Sequence, residues 1–126
     1  MARKKTHDQL TPLELDIMKA LWDSGPATVQ TVQQKLQGRD LAYTTVQTML
    51  NVLHRKGKVT RSLKNRAYFY RPTVSRQRVA SQMIKDIVDR LFAGSAEGLV
   101  MSMVETRHIS ARELARLNRI LDDSTE

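Results

Sequence analysis

The sequence predicts a mainly α-helical protein with one small β-hairpin, and three observations carry that reading. Apolar residues recur at helical spacing in three segments before residue 57 and in three more after residue 74. Between them, from Lys58 to Arg71, the pattern changes to strand-like alternation. Aromatic residues make up only 5% of the 126 positions, so the core is expected to be aliphatic, with the six methionines contributing.

Thr11-Pro12-Leu13-Glu14 reads as the start of the first helix. Thr11 can cap the orphan amides, Pro12 suits the first helical position, and Glu14 stands where a capping box needs its acid. Ile17, Met18, Leu21 and Trp22 form its apolar stripe, with Trp22 expected in or near the core, and Ser24-Gly25-Pro26 ends it. A second helix starts at Thr28 with Val29, Val32 and Leu36 inward and Gln30, Gln33, Gln34 and Gln37 along it, and stops by Gly38. A third runs from about Tyr43 to Lys56, with Val46, Met49, Leu50 and Leu53 on one face and Gly57 as its stop.

Lys58-Val59-Thr60-Arg61-Ser62-Leu63 and Ala67-Tyr68-Phe69-Tyr70-Arg71 read as two strands joined by the turn Lys64-Asn65-Arg66. Tyr68 and Tyr70 are expected to pack against the helices. Ser75 then opens a long helix ending at Gly94, with Val79, Met83, Ile84, Ile87 and Leu91 on one face. Ser95 begins a shorter helix containing Leu99, Val100, Met103 and Val104. Ser110-Ala111-Arg112-Glu113 is a second capping box, starting a last helix with Leu114, Leu117, Ile120 and Leu121 turned inward. Two domains are expected, residues 1–72 and 73–126, joined stiffly because no Gly- or Pro-rich linker separates them.

Charge divides along the same boundary. Residues 1–72 carry 13 Lys and Arg against 5 Asp and Glu, whereas residues 73–126 carry eight of each. The whole net charge of +8 therefore sits in the first half, the electrostatic footprint of a polyanion partner. Three helices followed by a basic hairpin is the order of a winged helix-turn-helix, in which the third helix enters the major groove and the wing follows the backbone. The third helix turns Thr44, Thr45, Gln47, Thr48 and Asn51 away from its apolar stripe. These short hydroxyl and amide groups match base edges. Arg55, Lys56, Lys58, Arg61, Lys64, Asn65 and Arg66 follow, placed for phosphates and the wing. Double-stranded DNA is the expected partner. The plainer alternative for the same residues is a solvated helix face and an idle turn.

Other classes fare worse. With no cysteine, the chain has no disulfide framework, thiolate metal site or cysteine nucleophile. His7, His54 and His108 are scattered, and no P-loop, GxGxxG or nucleophile elbow occurs. Asp86 and Asp89, beside Lys85 and Arg90, read as solvated charge. No catalysis, metal or cofactor is expected. The longest charge-free run, Leu41 to His54, falls short of the roughly 20 apolar residues of a membrane span. The basic start Met1–Lys5 is not followed by an apolar stretch, so neither a secretory signal nor membrane insertion is expected, and the cytoplasm is the expected compartment. The residues alone leave open a sequence-neutral nucleic-acid coating protein, or a winged-helix regulator of another family that senses a small ligand.

Leu10-Thr11-Pro12-Leu13-Glu14 through Ile17-Met18 to Leu21-Trp22, then Ala42 to Leu50, Lys56-Gly57 and Tyr68-Phe69-Tyr70, resemble the penicillinase-repressor (BlaI/MecI) family. The resemblance extends to Gly94-Ser95-Ala96 and Leu99-Val100, and so covers nearly the whole chain. It implies a bacterial homodimeric winged-helix repressor that binds an inverted-repeat operator, controlling a β-lactam-response gene. On that reading Val79, Met83, Ile84, Ile87, Leu91, Leu99, Met103, Leu114, Leu117 and Leu121 supply the dimer interface. The resemblance also implies release by a membrane-bound sensor protease cutting after Leu99-Val100. The best-known members have Asn-Phe at the cut, where this chain has Ser102-Met103. The paired cysteines of a copper-responsive branch are missing.

Overall fold

The computed structural model describes residues 9–36 and 38–124; Met1–Lys5, His7 and Gln37 lie outside them. In chain order the elements are α1 (Pro12–Ser24), α2 (Val29–Lys35), α3 (Tyr43–Arg55), β1 (Val59–Lys64), β2 (Ala67–Pro72), α4 (Arg76–Leu91), α5 (Ala96–Glu105) and α6 (Ala111–Ser124). The chain forms two compact units, one ending at Ser81 and the other beginning at Gln82, so the division falls inside α4.

In the first unit, α1 starts as its sequence dictates. The Thr11 N–H donates to Glu14 Oε1 at 2.8 Å, and the Glu14 N–H donates back to Thr11 Oγ1 at 3.2 Å. Ile17, Met18 and Leu21 of α1, Val32 of α2 and Val46, Leu50 and Leu53 of α3 are completely buried together, closed by Val59 and Tyr70 from the hairpin. Burying an aliphatic side chain of this size stabilises by about 1.5–3 kcal/mol, so this cluster is what holds three short helices together. Trp22 packs at its edge, and its Nε1–H donates to the Val74 carbonyl at 2.9 Å. The Arg76 guanidinium lies 5.6 Å from the Trp22 ring centre and bonds Asp23 at 2.9 Å.

The hairpin is antiparallel, with Val59 opposite Pro72, Arg61 opposite Tyr70, Leu63 opposite Tyr68 and Lys64 opposite Ala67. Ala27 adds one more rung on the far side of β2, exchanging two backbone hydrogen bonds with Tyr70 at 2.8 and 3.0 Å. A lone bridging residue produces no alternation, which is why the sequence pattern contains no sign of it.

Glu14 has a second task. Its carboxylate is 2% exposed and accepts from Lys56 Nζ on both oxygens at 2.9 Å, while Lys56 also donates to the Gln9 carbonyl at 3.3 Å. The start of α1 is thereby tied to the residue that ends α3.

In the second unit, α5 is capped by Ser95, whose Oγ accepts from the Gly98 N–H, and α6 by a complete Ser110–Glu113 capping box. The Ser110 N–H and hydroxyl hold the Glu113 carboxyl below its ordinary value. No described residue of α4, α5 or α6 is fully buried within the single chain. Leu117, Ile120 and Leu121, expected to face inward, are exposed: Leu121 is 60% exposed, and Leu91 of α4 is 74% exposed. Three helices in so short a segment enclose too little volume to cover every apolar stripe.

The buried ion pair yields a directional prediction. Lys56→Met, which strands the Glu14 carboxylate, should destabilise the protein by about 2–3 kcal/mol, below the full cost of breaking a wholly buried pair because Lys56 is partly solvated. Adding Glu14→Gln to that variant should restore part of the loss. Urea unfolding of the single and double variants measures both.

Candidate nucleic-acid interface

The interface is built from α3 and the wing. With Val46, Leu50 and Leu53 locked inward, the 3.6-residue period turns Thr44, Thr45, Gln47, Thr48 and Asn51 outward, and all five are exposed. The helix stops through a Schellman arrangement: the Gly57 N–H donates to His54 O at 3.0 Å and the Lys58 N–H to Leu53 O at 2.9 Å. Gly57 has φ +77, the left-handed conformation this stop requires. Thr73 then fastens the base of the wing, its N–H on the Lys58 carbonyl at 2.9 Å and its hydroxyl on the Gly57 carbonyl at 2.6 Å. The outward face of α3 and the wing are thus set relative to each other by these hydrogen bonds.

The wing tip is a two-residue turn in which Asn65 (φ 51) and Arg66 (φ 68) are both left-handed. That is the type I′ geometry that suits the twist of a hairpin. Asn tolerates it; Arg does so at a cost. Arg55, Lys64, Asn65 and Arg66 are exposed, and Lys58 and Arg61 are half-buried. Among the described residues, none of the cations Arg55, Lys58, Arg61, Lys64 and Arg66 is paired with a carboxylate, so their charge is free to act outward.

Lys56 departs from the expected phosphate set. Its ammonium is engaged by Glu14 and the Gln9 carbonyl, so its role is internal bracing. Tyr70 is buried as expected, but Tyr68 is not packed on the helices. It is 45% exposed, with the Arg61 guanidinium 4.3 Å above its ring. Arg61 Nη1 also donates to Asn51 Oδ1 at 3.3 Å, joining wing to helix. Reading along the chain misses Gln33 as well, whose Nε2 donates to the Leu41 carbonyl at 2.9 Å and steadies the approach to α3.

Elsewhere, a cleft lined by Asp16, Lys19, Asp23, Lys35, Leu36 and Arg39 is crossed by the Arg39–Asp16 ion pair at 2.8 Å. Among the described residues no group of three or more His, Asp or Glu converges on a metal-sized site, and no helix is long and apolar enough to cross a membrane.

Three helices closing on one core, the third followed by an antiparallel hairpin, define a winged helix-turn-helix fold. The fold is shared with the transcriptional regulator Tm0710 from Thermotoga maritima, at TM-score 0.53 and 19% identity over 98% of this chain and 77% of that one. A MarR family protein from Bacillus stearothermophilus aligns at TM-score 0.50 and 19% identity, over 99% of this chain and 83% of that one. The chain belongs to the penicillinase repressor family, whose profile matches residues 10–123. It is similar to the transcriptional regulator BlaI of Mycobacterium tuberculosis, with 35% identity over 90% of this chain and 83% of that protein. The methicillin resistance regulatory protein MecI of Staphylococcus aureus strain N315 is 24% identical over 94% of this chain and 96% of that protein. The penicillinase repressor of Bacillus licheniformis is 24% identical over 91% of each. The chain is accordingly a DNA-binding transcriptional repressor and not an enzyme.

Relieving the turn should be measurable. Arg66→Gly should raise stability by about 1 kcal/mol, since glycine adopts a left-handed φ without the Cβ clash. Thermal unfolding of the variant would show this as a higher midpoint.

Proposed function

We propose that the repressor reads an inverted-repeat operator as a homodimer, with Thr44, Thr45, Gln47, Thr48 and Asn51 of α3 against base edges in the major groove. Arg55, Lys58, Arg61, Lys64 and Arg66 grip phosphates on either side, with Asn65 at the wing tip. One observation carries this reading: an exposed, uncharged hydrogen-bonding helix face is flanked by cations that no carboxylate neutralises. Neutral polar groups discriminate bases, and unpaired cations supply affinity that does not depend on sequence.

Residues 1–72 are assigned to DNA and residues 73–126 to the dimer. The apolar side chains that the single chain leaves uncovered support that assignment. Met83, Ile84, Ile87 and Leu91 on α4 and Leu117 and Leu121 on α6 are exposed, with Val79 on α4, Leu99 and Met103 on α5 and Leu114 on α6 half-buried. A two-fold pair covers such faces and matches a palindromic site. The cytoplasm, where the operator is, is the assigned compartment.

Release is assigned to a membrane-bound sensor protease cutting at Ser102–Met103, in keeping with family membership. Both residues are half-buried inside α5, so the cut requires that helix to open locally.

Selecting bound sites from random duplex tests the whole reading, through dyad symmetry, half-site spacing and base choice together. Thr45→Ala should cost about 1–3 kcal/mol at the preferred site and relax one base position. Lys64→Ala should instead weaken all duplexes alike and reduce the salt slope by about one. A Lys64→Ala variant with changed base preference and intact general affinity would refute the wing assignment. Ile84→Glu together with Ile87→Glu should shift the protein from dimer to monomer in sedimentation, because two charges per protomer would be desolvated in the interface; an unaltered dimer would refute the interface.

A further inference from the structure

One face of the wing changes character along its length. Residues paired directly across an antiparallel ladder share a face, so Val59, Arg61 and Leu63 stand together with Pro72, Tyr70 and Tyr68. At the base of the hairpin this face belongs to the core, where Val59 and Tyr70 are each 2% exposed. Toward the tip it runs past the core and is left uncovered. Leu63 is 62% exposed and Tyr68, directly opposite, 45%.

Arg61, midway along, marks where the overhang lies. Its Nη1 donates to Asn51 Oδ1 at 3.3 Å, so the apolar pair begins beside the outward face of α3. The same guanidinium sits 4.3 Å over the Tyr68 ring, which gives the pair a charged inner border. Lys64 and Arg66, both exposed, border it on the side of the turn. Single exposed apolar residues need no explanation. A cross-strand apolar pair bordered by three cations, and continuous with a surface fitted to DNA, points to a definite occupant. A second copy of the same patch would bring like charges together. The matching partner is a polyanion whose charges are separated by apolar units. The DNA backbone is built that way, each deoxyribose offering carbon–hydrogen edges between two phosphates.

We propose that Leu63 and Tyr68 form a sugar-binding platform. They pack on deoxyribose of the strand bordering the groove that α3 enters, while Lys64 and Arg66 hold the phosphates on either side. This inference deepens the proposed docking of α3 and rests on it. The platform supplies affinity that is indifferent to base sequence. Unlike the contribution of the cations, it is also indifferent to salt, because covering an apolar surface releases no counterion.

The test uses the full-length protein on its selected operator, titrated at several salt concentrations, beside Leu63→Ala, Leu63→Met, Tyr68→Ala and Lys64→Ala variants. Circular dichroism checks that each variant is folded. Leu63→Ala and Tyr68→Ala should each weaken binding by roughly fivefold with the salt slope unchanged. Leu63→Met, which keeps the apolar area, should bind as the unaltered protein does, and Lys64→Ala should lower the slope. The loss on Leu63→Ala should be the same when the base pairs flanking the α3 contacts are exchanged. Hydroxyl-radical footprinting, which attacks the sugars themselves, should show protected deoxyriboses beside the α3 contacts in each half-site, and Leu63→Ala should expose them.

Unaltered affinity and footprint in Leu63→Ala, with base selection by α3 intact, would overturn the inference and leave the docking standing. A loss that varies with the flanking base pairs would overturn it as well, by making Leu63 a base contact. Binding to phosphatidylglycerol vesicles that Leu63→Ala abolishes would assign the pair to a lipid surface instead, and a changed sedimentation of the DNA-free variant would assign it to a second copy. If the unaltered protein protects no duplex, the docking itself fails, and the inference fails with it.

Discussion

The repressor depends first on the complete burial of Val46, Leu50 and Leu53. A helix that commits those three positions to a core has no freedom left in its rotation, since 100° per residue then dictates where every other side chain points. The outward direction of Thr45, Gln47 and Asn51 is thus a consequence of aliphatic packing on the other side of the same helix. Ile17, Met18, Leu21 and Val32 supply the surface it packs on, and any loss there would be felt as a rotation or tilt of its outward face.

Packing alone leaves a short helix free to slide along its axis, and polar links remove that freedom. The Glu14–Lys56 pair pins the end of α3 to the start of α1, Gln33 pins the approach to it, and the Schellman stop with Thr73 pins the wing that follows. Each bond joins residues that a purely apolar core would leave unregistered. A buried ion pair adds less net stability than a hydrophobic replacement of equal volume. Here its geometric effect is the more telling one, because it sets the depth at which α3 is held.

Much of this was legible in the sequence. Thr11 to Glu14, Ser110 to Glu113 and the spacing of Val46, Leu50 and Leu53 are local signals, and local signals survive without knowledge of the partner. What stayed illegible was long-range. Lys56 lies 42 positions from Glu14, and each had a sufficient local explanation, one as a phosphate clamp and the other as a capping acid. Tyr68 has the composition of a packing residue, and only the strand register reveals that Arg61 covers it. Arg61 and Asn51 sit on different elements whose closeness is a product of the turn at Gly57. The stripes of α4 and α6 could be read, but their direction could not, because three helices in so short a segment leave them uncovered.

The rung between Ala27 and Tyr70 has one more effect. It closes the outer edge of β2 at Tyr70, so within the described sheet the longer unpaired backbone edge is that of β1. That edge is six residues long and bears Arg61 and Lys64. Brevity and like charge make it a poor template for strand addition, so a hairpin projecting into solvent can stay separate from its copies at high concentration instead of seeding intermolecular sheet.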